Sequence, residues 1–258
     1  MTRGATEDPR RETGDVAFTF DWYADFLDAL CRRGRRFRSY DDDLEAGDVV
    51  LRHDVDWSPR NALTTARIEA DRGVTATYFF LLSSPLYNVF HRRNRRIVEE
   101  IAALGHRVGV HFSTYQHWDR EPPEGVLAER VRDEQRALDT VVADLEPAVS
   151  FHRPPEWVLA REFDAFTSAY EPRFFESVAY RADSNQRWRE DHPLAGGVPE
   201  TVQVLTHPGL WGTEDADYET RLAAHEDEEL GRTRQFMDDQ FVDKRYNAAE
   251  FCEFERRY

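Results

Sequence analysis

Lysine is almost missing from this chain. Of its 34 basic residues only Lys244 is one, and arginine supplies the rest. Cysteine is nearly as scarce: Cys31 and Cys252 stand far apart, in neither a CxxC nor a framework spacing. That excludes a disulfide-stapled scaffold, and both are expected to be reduced core thiols. No apolar run is long enough to span a bilayer. The N-terminal MTRGATEDPRRETGD holds no apolar segment of the kind that directs secretion. The expectation is a soluble, cytoplasmic protein. An excess of positive charge is lacking too. The formal net charge is −16, spread along the chain rather than gathered in a tail, which argues against sequence-independent nucleic-acid binding. Such an acidic, lysine-poor surface suits a high-salt cytoplasm, where like charges are screened.

What is present is enough chain for a full core. At 258 residues a single domain buries roughly 75% of the surface its unfolded form exposes. Residues 1–14 read as a disordered polar lead and 15–258 as one domain. Phe18 to Cys31 has helical apolar spacing, and RRGRRFRSYDDD then reads as a charged connection. From Asp48 onward short apolar runs alternate with helical segments. Strands are expected at 48–53, 74–82, 106–111, 148–153, 177–182 and 201–207, and helices at 59–72, 94–104, 125–145 and 216–240. Ser58 as N-cap, Pro59 in the first turn and Gly73 at the exit bracket the first of these helices. The alternation predicts an α/β fold with a mainly parallel sheet, closed as a barrel or open.

In such folds chemistry gathers at the carboxyl ends of the strands. The strand exits carry, in order, Asp54 and Asp56, His111, His152 and Arg153, Asp183, and His207. Asp54 and Asp56 lie two apart in LRHDVDWSP, so in extended geometry they share a face with Cα atoms roughly 6.6 Å apart. Either both cap the helix after Ser58, or a divalent cation holds one ionised and leaves the other free as a base. A Zn²⁺ site wants three protein ligands and an open position, and Asp56 and His111 supply two of them. His106 begins its strand and reads as structural. In HRPP, either the Pro-Pro turn simply exposes charge, or Arg153 orients Asp54 through a bidentate pair while His152 faces the metal. In THP, His207 is an incidental residue before a proline or an acid that protonates a leaving group.

Together these stretches resemble the NodB-like polysaccharide deacetylases, the metal-dependent carbohydrate esterases of family 4. HDVD resembles the family's first motif, GHRVGVHFSTY its second, HRPP its third, ADSNQRW loosely its fourth and LTHP its last. The resemblance covers about 48–212 and implies a distorted (β/α) barrel. It implies Asp54 as catalytic base, Asp56 and His111 as metal ligands, and Arg153 as the arginine that holds the base. It also implies His207 as the acid, with Asp183 and Trp188 at the pocket wall; under that activity Trp188 and Trp211 are candidates to stack on sugar rings, a core or rim aromatic being the commoner use of either. Where the family places its second metal histidine this chain has Tyr115; His152 is the preferred substitute, with His117 the alternative. The implied activity is metal-dependent removal of an acetyl group from an N- or O-acetylated sugar, with Zn²⁺ as cofactor and a carbohydrate as partner. Two rivals are a metal-independent glycosidase using the paired carboxylates and a catalytically idle carbohydrate-binding scaffold.

Overall fold

The computed structural model describes residues 13–242. The greater part of the expected polar lead, together with Cys252 and Lys244, lies outside them. Seven strands are all parallel: β1 (Arg36–Arg38), β2 (Asp48–Val55), β3 (Thr77–Phe80), β4 (Arg107–Phe112), β5 (Val149–Phe151), β6 (Ala179–Ala182) and β7 (Val202–Thr206). Their order is β5-β4-β3-β2-β7-β6, with β1 paired to the start of β2. The principal helices are α1 (Phe20–Arg32), α2 (Pro59–Ala70), α3 (Arg92–Ala103), α4 (Glu124–Asp139), the single turn α5 (Pro172–Phe175) and α6 (Tyr218–Met237). Among the described residues no helix is long and apolar enough to cross a membrane.

β2 is buried along its whole length. Its alternation sorts two environments. Leu51 and Val55 join the main core with Tyr23, Phe26 and Leu27 of α1 and Ala62 and Ala66 of α2. Val50 instead joins Tyr40, Phe79, Ala148, Ala169 and Phe174 in a smaller core on the other face of the curled sheet. Gly109 is required there, because a Cβ at that position would sit 2.8 Å from the Phe79 ring. The barrel is incomplete. β5 and β6 do not pair, and the segment around 167–175 bridges the gap: Gln203 Nε2 donates to the carbonyls of Ala169 and Phe174, and Val149 N to that of Thr167. This is the distorted barrel expected from the sequence.

The differences are local. RRGRRFRSYDDD is not wholly a connection. Its Arg36–Arg38 forms β1, held by the 2.7 Å pair between Arg36 Nε and the buried Asp48 carboxylate. α4 ends at Asp139 rather than continuing to 145, since the β-branched Thr140, Val141 and Val142 follow and the Thr140 hydroxyl donates to the Ala137 carbonyl. Cys31 is exposed on α1, not in the core. Thr13, placed in the polar lead, is buried and lies 3.1 Å from His192 Nε2. Ser58 caps α2 as expected, accepting from Asn61 N.

Candidate active site

The carboxyl ends of β2, β4, β5, β6 and β7 open onto one cleft of about 870 Å³ whose walls include Asp54, Asp56, His111, His152 and His207. His53 is not among them. It faces the helical layer, with Nδ1 2.6 Å from Thr206 Oγ1 and Nε2 2.7 Å from the fully buried Glu69, to which Tyr23 and Tyr78 also donate. The polarity of HDVD is thus split between the two faces of β2.

Asp56, His111 and His152 each offer one ligand atom, and the three lie within 4.8 Å of one another. His111 Nε2 is 3.0 Å and His152 Nδ1 2.9 Å from the same Asp56 oxygen, Oδ1. A tetrahedral zinc centre with bonds of ~2.0–2.1 Å separates its ligand atoms by roughly 3.3 Å, near the spacing of Asp56 Oδ1 from each histidine nitrogen. One carboxylate oxygen and two imidazole nitrogens would suit Zn²⁺, and all three residues line the cleft. His111 Nδ1 lies 3.0 Å from Ser150 Oγ, a contact that leaves Nε2 to face Asp56. Burial would raise the Asp56 pKa. Hydrogen bonds from His111 and His152 outweigh it and hold the carboxyl well below the usual range. His117, the alternative ligand, is turned away: its ring stacks on Phe112 and its Nε2 lies 3.3 Å from Glu134. Tyr115 is exposed.

Asp54 is buried, and the arginine that meets it is not Arg153. Arg52 Nη2 donates to Asp54 Oδ2 at 3.0 Å and to Tyr170 Oη at 2.7 Å, with its guanidinium carbon 4.6 Å from the centre of the Tyr170 ring. Arg153 is exposed, with a left-handed φ of 47°, and makes no hydrogen bond to Asp54. Its side chain lies on the cleft wall, while Arg52 shares the inner face of β2 with Asp54. Ser150 Oγ also donates to Oδ2 at 3.0 Å, whereas Oδ1 has no partner among the described residues. Burial works to raise the Asp54 pKa, but the charge of Arg52, then those of His111 and His207, hold it below the ordinary value.

Asp183 is not a wall for substrate. It is fully buried and accepts from His207 Nδ1 at 2.6 Å, from the His207 backbone N–H and from Trp211 Nε1 at 2.9 Å. Burial pushes the His207 imidazole down, but Asp183 overrides it and lifts the pKa to about 9. His207 Nε2 is 4.0 Å from Asp56 Oδ2. Trp188 and Trp211 are also displaced from the expected role. Each is 1% exposed, packed with Trp22 and Phe26 behind the site. The indole on the cleft is Trp57, seated against Gly209, where any Cβ would collide with the ring. Arg52, Ser150 and Trp57 escaped the sequence reading. The period-two alternation of β2 was a signal for Arg52, since it places positions 52 and 54 on one face.

No protein-family profile matches the chain, and no curated protein does. Solved structures do. A peptidoglycan deacetylase from Bacillus subtilis, as a D285S mutant, is similar at 13% identity and a TM-score of 0.44, over 80% of this chain and 100% of that one. A family 4 acetyl xylan esterase from Clostridium thermocellum, in complex with a cobalt ion, is similar at 15% identity and 0.40, over 72% and 83%. A family 4 pseudoenzyme from Bacillus anthracis is similar at 13% and 0.42, over 71% of this chain, which spans 60% of that chain's length. In structure the chain is similar to proteins of carbohydrate esterase family 4, at low sequence identity.

Proposed function

We propose that this chain is a metal-dependent hydrolase that removes an acetyl group from an N- or O-acetylated sugar. The observation that supports it most directly is the convergence of Asp56, His111 and His152 within 4.8 Å, in the cleft that Asp54 and His207 also line. A divalent cation on those three ligands, Zn²⁺ by their chemistry, supplies a Lewis acid for the acetyl carbonyl and lowers the pKa of water. Asp54 accepts the proton of the attacking water at Oδ1, the oxygen that Arg52 and Ser150 leave free. Arg52 keeps that buried carboxylate ionised and fixes its plane. His207 donates a proton from Nε2 to the departing nitrogen or oxygen, with Nδ1 anchored on Asp183 so that the ring is held in one orientation. Trp57, Leu86 and Tyr218 supply the apolar wall against which a sugar ring packs.

The test is acetate release from N-acetylglucosamine oligomers, acetylated xylan, N-acetylglucosamine 1-phosphate and N-acetylmuramic acid by the Zn²⁺-loaded protein. Release is expected from wild type and lost in Asp54→Asn at unchanged metal content. No release from any of the four substrates, with zinc bound, would overturn the reading.

A further inference from the structure

Two charged side chains on the cleft wall have no part in the chemistry above. Arg153 follows the ligand His152, and Arg187 lies in the turn that follows Asp183. Both are exposed, and neither guanidinium has a hydrogen-bond or ion-pair partner among the described residues. Carboxylates are plentiful in this chain, with 50 Asp and Glu against 34 Lys and Arg. Nearby arginines use them: Arg161 reaches Glu121 and Glu124, and Arg189 forks onto Asp215. The acidic groups of the cleft already have partners of their own. Asp54 is matched by Arg52, Asp183 by His207, and Asp56 by His111 and His152. Two positive charges are therefore left uncompensated on the wall of the site. Their backbones are held in uncommon shapes, with φ of 47° at Arg153 and 55° at both Asn185 and Gln186 just before Arg187. Non-glycine residues adopt that region at a cost of roughly 1–2 kcal/mol each.

We propose that Arg153 and Arg187 bind an anionic substituent on the sugar, so that the substrate is an acetylated sugar phosphate or sugar carboxylate rather than a neutral glycan. The choice of an acetylated sugar rests on the function proposed above; the anion preference rests on the two guanidiniums. A guanidinium fork matches either anion bidentately. A small anion is favoured over a polyanion. The Debye length is about 8 Å at physiological ionic strength, so a small ligand inside the cleft meets mainly the local positive charges. A charged polymer extending beyond it meets the acidic surface of a protein of net charge −16.

The full chain, Zn²⁺-loaded, is titrated by calorimetry with N-acetylglucosamine, N-acetylglucosamine 1-phosphate and N-acetylmuramic acid, the last for its carboxylate. At least one of the two anions is expected to bind about tenfold or more tightly than the neutral sugar. Which one does so identifies the source of the charge. The ratio should fall toward one in Arg153→Gln/Arg187→Gln and in 0.5 M NaCl. Equal affinities for the neutral and both charged sugars in wild type, or a ratio that survives in the double variant, would overturn the proposal. Arg153→Glu and Arg187→Glu, made singly, should reverse the preference if each guanidinium contributes. Acetate is measured in the same samples: a preserved anion preference without acetate from any sugar refutes the hydrolase reading and leaves the anion site standing.

Discussion

Arg52 and Asp54, two residues apart on the inner face of β2, form a fully buried pair with Nη2 and Oδ2 3.0 Å apart. The pair ties the interior of β2 to the carboxylate proposed as the base. Removing one partner of such a pair typically costs about 3–5 kcal/mol, because the other charge stays buried and alone. Arg52→Met should therefore lower stability by that order. It should also let burial raise the Asp54 pKa, moving the acid limb of the kcat/KM profile to higher pH, since the base must be ionised. Arg52→Lys keeps the charge but not the two-pronged contact with Asp54 and Tyr170. It should restore the position of the limb better than the rate. Identical limbs in Met and Lys variants would show that Arg52 only packs.

The proposed metal site predicts a division among histidines. Chelated protein titrated with Zn²⁺ should take up one equivalent, and His152→Ala or Asp56→Ala should weaken binding by about a hundredfold or more. His117→Ala should bind as wild type does, because its ring lies on Phe112 and Glu134. Loss of zinc in His117→Ala with retention in His152→Ala would reassign the third ligand. Hydrolytic activity that survives complete chelation would favour the paired-carboxylate glycosidase.

In the proposed mechanism Asp183 acts only through His207. With the imidazole lifted to about 9, an acid held by His207 stays protonated through neutral pH, and activity is lost as the pH rises through that value. Asp183→Asn removes the charge that opposes burial. The alkaline limb of kcat/KM should then move down by roughly one to two pH units toward the ordinary histidine range. An unmoved limb would dismiss His207 as the proton donor.

The strand exits were legible because desolvation makes charge rare at the ends of apolar runs, so Asp54, Asp56, His111, His152 and His207 stood out and all line one cleft. What failed was the inference from exit position to side-chain direction. Arg153 and Asp183 both follow apolar runs, yet Arg153 stands exposed on the cleft wall without reaching Asp54, and Asp183 is buried against the backbone N–H of His207. Arg52 was hidden inside the strand, where an unpaired arginine would be forbidden and only knowledge of Tyr170, 118 residues away, reveals its second partner. The tryptophans misled for a similar reason. Exposure of an indole depends on α1, whose Trp22 and Phe26 cover Trp188 and Trp211.

Glu134 carries the last prediction. It lies on α4 with its side chain 16% exposed and its Oε2 buried without a partner among the described residues, while His117 Nε2 sits 3.3 Å away. Burial pushes the carboxyl from 4.5 up to about 7, and burial, with Arg130, pushes His117 down. Near pH 7 the carboxyl is accordingly about half protonated, and its protonated form meets a neutral imidazole in a hydrogen bond rather than an ion pair. A carboxyl whose folded pKa exceeds its unfolded value contributes stability that is complete below the unfolded pKa and lost as the pH rises through the folded one. Glu134→Gln is nearly isosteric and does not titrate. Relative to wild type it should gain roughly 1–3 kcal/mol between pH 5 and pH 8.5, at ~1.4 kcal/mol per pKa unit. Denaturant titrations at the two pH values measure it. A difference that stays constant across that range would mean that Glu134 is already ionised in the folded protein, with solvent or a cation at its second oxygen.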